Sequence, residues 1–238
     1  MEKRNNFING VKAGIPIALG YFAVSFTFGM MAVAGGLSIG DAVLISTTNL
    51  TSAGQFAGLS IILSNGSYVE MMLTQLVINL RYSLMSFSLS QKLTRKEPWF
   101  HRFIISFGVT DEIFAVSVSQ SGKTSAFFNY GSMAVAIPGW VIGTLFGALL
   151  GNILPSFIVS ALSVAIYGMF IAIIIPPAKN DRNVLYVVIA SMILSTCFTY
   201  LPILNKVSSG FVIIICTVIV SMLAAKFAPI KEEEVNHE

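Results

Sequence analysis

The sequence predicts an all-α, polytopic integral membrane protein with about six to eight transmembrane helices, including broken or re-entrant helices. Hydrophobic residues make up 55% of the 238 residues and charged residues 11%, whereas a soluble domain carries roughly 25% charged residues. The mean hydropathy is +0.81. Eight apolar segments fill most of the chain, and a polar run interrupts the second of them. Together these observations leave no soluble domain of useful size.

The composition also argues against several classes of function. The net charge of +3 does not indicate nucleic-acid binding, because Lys and Arg in membrane proteins mostly set the orientation of the chain. Cys197 and Cys216 both lie in apolar segments, which indicates neither a disulfide framework nor a metal site. We expect no cofactor, since the sequence has no phosphate-binding loop, metal cluster or haem motif.

The apolar segments, in order, cover residues 14–34, 41–63, 68–90, 103–119, 127–150, 156–175, 184–201 and 207–227. A spanning helix needs about 20 residues, so the fourth and seventh segments are short. The first is longer than the roughly 7–15 apolar residues of a signal peptide, and we expect it to be retained as a span. The sequence therefore predicts one transmembrane domain over residues 1–231, followed by a short acidic tail over residues 232–238.

A polar run at residues 46–55 distinguishes the second segment, since eight of its ten residues are polar or glycine. Lipid offers polar groups no hydrogen-bond partner, so the run must face protein or a water-filled cavity. Transporters commonly build substrate sites from such broken helices. Ser52 or a neighbour could cap a half-helix whose free N–H groups face an anion, with Gln55 and Asn49 adding hydrogen bonds. Alternatively, the run is polar packing between helices.

The basic residues predict the orientation of the chain. Residues 91–102 hold four Lys or Arg residues and the N-terminus holds three, so both regions should be cytoplasmic. Three full spans between them would place them on opposite sides. The conflict disappears if residues 41–63 are re-entrant, and residues 103–119 then dip into the membrane in the same way. Six full spans with two re-entrant elements, and eight full spans, are both compatible with the sequence.

Glycine recurs at every fourth position of the fifth segment, at Gly139, Gly143, Gly147 and Gly151. This spacing places the glycines on one helix face, where the lack of a side chain allows close contact with another helix. The segment is therefore predicted to be a packing helix, either within the chain or against another subunit.

Apart from Asp41 and Lys226 at segment ends, the charged residues within the apolar segments are Glu70, Arg81, Asp111 and Glu112. Intramembrane charges are costly and are therefore candidates for function. Arg81 could bind a substrate carboxylate through its two-pronged guanidinium, or it could pair with an acid or with backbone carbonyls. Glu70 lies near the end of its segment and could be interfacial.

The third segment is polar on two helix faces. At 100° per residue, the polar residues fall into two stripes, one with Glu70, Thr74, Arg81 and Ser88, and another with Gln75, Asn79, Tyr82, Ser86 and Ser90. A helix that is polar on both sides is predicted to be central rather than to face lipid.

The acids of Thr110-Asp111-Glu112 also have two interpretations. Thr110 can N-cap a helix, and acids in the first turn suit the helix dipole. Alternatively, one acid pairs with Arg81, binds a substrate ammonium or couples a proton, since burial favours the protonated carboxyl group.

Three motifs follow one another along the chain: Ala53-Gly54-Gln55-Phe56-Ala57, Asn79-Leu80-Arg81 and Thr110-Asp111-Glu112. In order and spacing they resemble the AzlC family, the large subunit of bacterial branched-chain amino acid exporters. The resemblance extends from Gly14 to the last apolar segments and is strongest over residues 29–93. Tyr82 stands where relatives often have His.

The resemblance implies a multi-pass permease of the bacterial plasma (inner) membrane that exports branched-chain amino acids. It also implies a small hydrophobic partner subunit of the AzlD type, for which the glycine face of the fifth segment would be suitable. The match places Gln55, Asn79, Arg81, Asp111 and Glu112 on the family's polar positions.

We expect a proton-coupled transporter of small apolar amino acids. Arg81 and N–H groups near residues 52–55 would hold the substrate carboxylate, and Asp111 or Glu112 would hold the ammonium group or carry a proton. The aliphatic side chain would lie against Phe26, Phe28 and Phe56. The alternatives are a non-transporting membrane assembly subunit, a transporter of another small neutral solute, and an ion channel. We expect no enzyme, because no nucleophile–base pair is present.

Overall fold

The computed structural model describes residues 2–94, 97–151, 178–202 and 204–227, and between residues 152 and 177 only 153, 154, 157, 164, 171, 174 and 175. The helices in these ranges are α1 (Glu2–Ala34), α2 (Ile39–Thr48), α3 (Ser52–Leu63), α4 (Tyr68–Lys92), α5 (Phe100–Phe107), α6 (Asp111–Val118), α7 (Ala126–Leu150), α8 (Arg182–Tyr200), a 3-10 turn (Leu204–Lys206) and α9 (Ser209–Phe227).

Among the described residues, four helices are long and apolar enough to cross a membrane, namely α1, α7, α8 and α9. The predicted all-α membrane architecture is therefore confirmed. The α4 helix has 25 residues, enough to span, but it carries the two polar stripes. The predicted segment at residues 156–175 lies mostly outside the described residues, and the predicted acidic tail lies wholly outside them.

The chain divides into two compact units. Unit 1 comprises Met1–Leu59 and Ile78–Met169, and unit 2 comprises Ser60–Val77 and Phe170–Glu238. Both α3 and α4 therefore contribute residues to each unit. The single transmembrane domain expected over residues 1–231 stays a prediction.

The α1 and α7 helices form the centre of unit 1 and run parallel to each other. Residue numbers increase in the same direction along both helices, since Gly10 lies against Phe128 and Gly29 lies against Thr144. A Cβ atom at either glycine would collide with the carbonyl oxygen of that neighbour. The two backbones can therefore approach this closely only because these positions are glycine.

The glycine face of α7 is covered by α1. A Cβ atom at Gly147 would collide with the carbonyl oxygen of Phe26, and one at Gly139 would lie 2.8 Å from the carbonyl oxygen of Ala18. This face is therefore a packing face, and its partner lies within the chain. The expected placement of a partner subunit on this face is wrong, because α1 already fills the space.

The α2 and α3 helices form a hairpin that enters unit 1 and turns back. Ala42 on α2 and Leu59 on α3 both pack with Ala148 in a buried cluster near the C-terminal ends of α1 and α7. Between the two arms, Leu50 packs against the middle of α1 and α7. The second apolar segment is thus broken at residues 49–51 and returns to the end where it entered, in agreement with the re-entrant alternative.

The α5 and α6 helices form a second hairpin, which enters unit 1 from the opposite end. Near the start of α5, His101 Nδ1 lies 2.6 Å from the hydroxyl of Tyr130 on α7. Thr110 then reaches the middle of α1. Near the end of α6, Ser117 donates a hydrogen bond of 2.9 Å to Oδ1 of Asn129, so the chain has returned to the N-terminal part of α7.

This second hairpin refines the prediction for residues 103–119. In one of the two alternatives from the sequence this short segment dips into the membrane, and the structure adds a break between two helices of eight residues each. Gly108 lies at this break against Met133, and a Cβ atom there would collide with the methionine side chain. A glycine that ends a helix in tight contact is a weak signal in a single sequence.

The N-terminus and the basic loop lie at the same end of unit 1. The Lys3 ammonium lies 5.1 Å from the ring centre of Phe127, beside the start of α7. Lys123 Nζ donates a hydrogen bond of 2.9 Å to the carbonyl oxygen of Gln91. This arrangement agrees with the prediction that both basic regions share one side, and their cytoplasmic location stays a prediction.

One face of α4 is exposed, which corrects the prediction that this helix is central. Leu80, Leu84 and Phe87 are 58%, 71% and 70% exposed. Their spacing of four and three residues forms an apolar stripe of its own. The two polar stripes therefore leave a third face that can lie against lipid or another apolar surface.

Glu70 on α4 anchors the start of α9 within unit 2. Its Oε1 atom accepts hydrogen bonds from the Ser208 hydroxyl at 2.5 Å and from the Gly210 N–H at 3.1 Å. Glu70 is only 4% exposed, so its carboxylate is held by the protein, and its interfacial placement stays a prediction. A carboxylate at this position satisfies N–H groups that have no partner within the helix.

Candidate functional site

The breaks of the two hairpins meet against the middle of α1 and α7. Leu50 of the first break and Ile113 at the start of α6 pack in one buried cluster with Tyr21 and Trp140. The rings of Tyr21 and Trp140 stand edge to face, with centroids 5.3 Å apart. The N-termini of α3 and α6 and the C-termini of α2 and α5 therefore come together in this region.

A hydrogen-bonded turn forms the first break. Asn49 Oδ1 accepts from the backbone N–H of Thr51 at 3.0 Å and from its hydroxyl at 2.6 Å, and α3 begins at Ser52. An Asn side chain that binds the backbone two residues ahead favours a turn over a continuous helix. The break thus starts a half-helix where the sequence indicates one. The substrate contacts expected of Asn49 and Ser52 stay predictions.

Gln55 holds the arms of the first hairpin to α7. Its Nε2 atom donates to Ser46 on α2, and its Oε1 atom accepts from Trp140 Nε1 at 3.0 Å. The Ser46 hydroxyl oxygen also lies 2.7 Å from that of Thr144 on α7. Gln55 is 1% exposed, so this network fits the alternative of polar packing. A direct contact between Gln55 and substrate stays a prediction.

Thr110 caps α6, in agreement with one of the two interpretations of this motif. Its Oγ1 atom accepts from the backbone N–H of Ile113, which places Asp111 and Glu112 in the first turn of the helix, near its positive end. The hydroxyl of Tyr21 hydrogen-bonds both Thr110 and Glu112 Oε2, the latter at 2.6 Å. Glu112 is thus tied to α1 at the point where the two breaks meet.

Arg81 on α4 forms an ion pair with Asp111, with Nη2 and Oδ2 3.1 Å apart. The same Nη2 donates to the hydroxyl of Tyr82 at 3.0 Å, and the guanidinium carbon lies 4.8 Å from the centre of the Tyr82 ring. The two paired side chains are 41% and 29% exposed. Within the described part of the chain, Arg81 Nε is buried and has no hydrogen-bond partner, so one donor of the guanidinium is unpaired.

The structure brings together the charged part of the predicted site. Arg81, Asp111 and Glu112 converge at the second break. Asn79 lies half-buried on α4, two residues before Arg81. The pairing of Arg81 with an acid, which the sequence left as one alternative, is therefore observed, and a role of these groups toward substrate stays a prediction.

Two residues of the predicted aromatic wall, Phe26 and Phe28, do not lie beside the ion pair, whereas Phe56 also packs against the buried cluster at the two breaks. Phe28 is fully buried, edge to face with Phe56 at a centroid distance of 5.5 Å, in the cluster near the C-terminal ends of α1 and α7. The carbonyl of Phe26 packs on the glycine face of α7. The physical reason is distance along the helix, because Phe28 lies seven residues beyond Tyr21, or about 10 Å at the rise of an α-helix.

Sequence reasoning missed the groups of α1 and α7 that hold the site. These are the hydroxyls of Tyr21 and Thr144 and the indole N–H of Trp140, each hydrogen-bonded to a hairpin. A signal was present, because a polar atom inside an apolar helix must find a partner. A single sequence does not say which partner it finds.

These features define an all-α membrane protein in which broken helices enclose a polar site, a construction shared by many membrane permeases. The sequence profile described as AzlC protein matches residues 16–154, which is more than half of the chain. The chain belongs to the AzlC family.

Several relatives support this assignment. An uncharacterised membrane protein of Archaeoglobus fulgidus is 34% identical over 182 residues, covering 76% of this chain and 80% of the relative. The inner membrane protein YgaZ of Escherichia coli K12 is 28% identical over 150 residues, covering 61% of each chain. A membrane protein of Helicobacter pylori is 24% identical over 186 residues, covering 75% and 80%. No solved structure shows significant similarity. The family and its relatives indicate a function in membrane transport.

Proposed function

We propose that the chain exports branched-chain amino acids across the bacterial inner membrane, coupled to protons, as the large subunit of a permease with a small hydrophobic partner of the AzlD type. The observation that carries this proposal is the Arg81–Asp111 ion pair, which lies where the hairpin breaks meet. Both of its side chains are partly exposed. The motif resemblance supports the substrate, the direction of transport and the partner.

The helix ends around the pair suit a zwitterion. The N-termini of α3 and α6 carry partial positive charge, and the C-termini of α2 and α5 carry partial negative charge. An amino acid also presents one charge of each sign. Opposed helix ends near mid-depth can therefore orient its carboxylate and ammonium groups without requiring a net charge on the protein.

In this proposal the substrate exchanges with the ion pair. Arg81 turns to the carboxylate, using a guanidinium that already has one unpaired donor, and Asp111 accepts the ammonium group. Glu112, hydrogen-bonded to Tyr21, carries the coupled proton. Each protein charge thereby keeps a partner during the exchange, which avoids the large cost of an unpaired charge away from water.

The proposal is tested by reconstituting the chain in liposomes, with and without the small partner, and following labelled leucine under an imposed proton gradient. We expect Arg81→Gln and Asp111→Asn each to reduce leucine transport about tenfold or more, since each loses hydrogen bonds to a charged group. Glu97→Gln is the control, because Glu97 caps α7 from the loop, where its carboxylate oxygens accept from the Ala126 N–H at 2.9 Å.

The double variant R81Q/D111N separates transport from folding. Each single variant leaves one charge without its partner, whereas the double variant leaves none. We expect thermal stability to recover in the double variant while leucine transport stays as low as in the single variants. Leucine transport by the double variant at the rate of the unaltered chain would contradict the proposed site.

The second candidate is a membrane subunit that assembles a complex without transporting. It is favoured by the structural hydrogen bonds of Gln55 and Asn49, which account for much of the polar run. The discriminating measurement is binding of labelled leucine, and of other small neutral solutes, to the purified chain. Absence of binding by a folded chain would favour the assembly role.

A further inference from the structure

A groove with a volume of about 280 Å³ lies between α4 and α5 in unit 1. Its polar lining consists of Arg102 and the hydroxyls of Ser83, Ser86, Ser90 and Ser106. Phe87 and Phe103 form its apolar walls and are 70% and 68% exposed. The groove is therefore an open surface that combines one cationic group, several hydroxyl groups and two aromatic rings.

Hydrogen bonds hold Arg102 in place at the charged end of the groove. Arg102 Nη1 donates to both the carbonyl oxygen and the hydroxyl of Ser90, which ties α5 to the last turns of α4. In the described part of the chain, no carboxylate lies within ion-pair distance of Arg102. The remaining donors of this guanidinium therefore lack an anionic partner within those residues, at a place fixed by two helices.

The residues beside the groove are typical of the boundary between lipid headgroups and acyl chains. Trp99, immediately before α5, is 71% exposed and stands edge to face with Phe103 at 5.4 Å. Exposed Trp residues are enriched at the depth of the headgroups. From Ser90 the groove follows α4 to Ser83, about 10 Å deeper along the helix axis, beside the exposed apolar stripe of that helix.

We propose that this groove binds one anionic phospholipid. Its phosphate lies on Arg102 and its headgroup hydrogen-bonds the nearby serine hydroxyls, while one acyl chain follows Phe87 and Phe103 toward the exposed stripe of α4. Basic pockets between membrane helices recognise lipid headgroups by this combination of charge and hydrogen bonding. A zwitterionic lipid has the same phosphate but adds an ammonium group, which Arg102 repels.

The test uses the full chain purified in a mild detergent. Retained lipid is counted by native mass spectrometry after addition of phosphatidylglycerol or phosphatidylethanolamine at equal concentration, and the unfolding temperature is measured in parallel. We expect selective retention of phosphatidylglycerol. Arg102→Gln should weaken it about fivefold, the contribution of one basic side chain near an anionic membrane surface. Lys123→Gln is the matched control, a basic residue at the same end that does not line the groove.

A second variant keeps the proposal testable if Arg102→Gln fails to fold. Ser83 is exposed, so Ser83→Phe fills the groove without altering a charge or an assigned hydrogen bond, and it should also reduce phosphatidylglycerol retention. Equal retention of the two lipids, or unchanged retention in both variants, would overturn the proposal. Two other results would also overturn the proposal. One is stabilisation of the protein by inorganic phosphate alone. The other is that the partner subunit, and not lipid, protects the thiol of Ser83→Cys from labelling.

Discussion

Gln55 shows how one amide can fix the position of a broken helix. It joins Ser46 on one arm of the first hairpin to Trp140 on α7, and Ser46 continues the chain of hydrogen bonds to Thr144. All four residues are nearly or fully buried. Hydrogen bonds in such an environment are costly to break, because the groups left behind find no water.

At the residue scale we predict that Gln55→Leu destabilises the protein although it keeps the side-chain size. The substitution leaves the Trp140 N–H and the Ser46 hydroxyl each without one partner, at a cost of about 1–3 kcal/mol for each buried polar group left unpaired. The measurement is unfolding in detergent, followed by tryptophan fluorescence. Gln120→Leu is the control, since among the described residues Gln120 donates only to the carbonyl of Val116. Equal stability of the two variants would contradict the observed network.

The sequence predicts the roles of some of these residues better than those of others. It identifies Arg81, Asp111 and Glu112, because charges in apolar segments are rare and conspicuous. It leaves open whether Gln55 contacts substrate or packs between helices, and the structure shows that its amide accepts a hydrogen bond from Trp140. A polar residue at a helix break has the same appearance in a sequence whether it faces a ligand or a tryptophan, and only the packing distinguishes the two.

At the scale of elements, the α1–α7 pair depends on glycine at several successive contacts. The spacing on α7 predicts a close-packed face, because four glycines recur on one side of the helix. The matching glycines on α1 are less regular, and the sequence gives no reason to pair α1 with α7 across more than ninety intervening residues. The sequence therefore predicts which face of α7 is closely packed, but it does not predict which helix packs against that face.

We predict that Gly147→Ala lowers stability by several kcal/mol, because the new methyl group collides with the backbone carbonyl of Phe26, which cannot move aside as a flexible side chain could. The control is Gly20→Ala on α1, where a Cβ atom meets nothing within 4 Å. That variant should be neutral or stabilised by up to about 1 kcal/mol through helix propensity. Thermal unfolding in one detergent compares the two, and a Gly147→Ala protein as stable as Gly20→Ala would refute the close packing.

At the scale of the whole molecule, unit 1 has its two basic regions at one end and the entry of the first hairpin at the other. Charge counting favours this arrangement, in which one segment turns back, although the sequence is also compatible with eight full spans. The structure shows the first hairpin turning back, because Ala42 and Leu59 share one cluster near the C-terminal ends of α1 and α7.

We predict that Trp99→Cys and Ile39→Cys are labelled from opposite sides of the membrane. The native Cys197 and Cys216 are first replaced by Ser, and both new positions are exposed. A membrane-impermeant maleimide applied to right-side-out cells should label Ile39→Cys, and the same reagent applied to inverted vesicles should label Trp99→Cys. Labelling of both from one side would contradict the re-entrant hairpins, and exchanged sides would reverse the predicted orientation.

The shortness of α5 and α6 has a consequence for how the protein is made. Helices of eight residues are well below the roughly 20 residues needed to cross a bilayer, and their open ends cannot be left in lipid. The second hairpin therefore has no stable place in the membrane until α7 has emerged from the ribosome and packed beside α1. We expect insertion to be out of chain order, with the long helices first and the hairpins settling afterwards. A polypeptide truncated before residue 126 should then be degraded rather than accumulate as an intermediate.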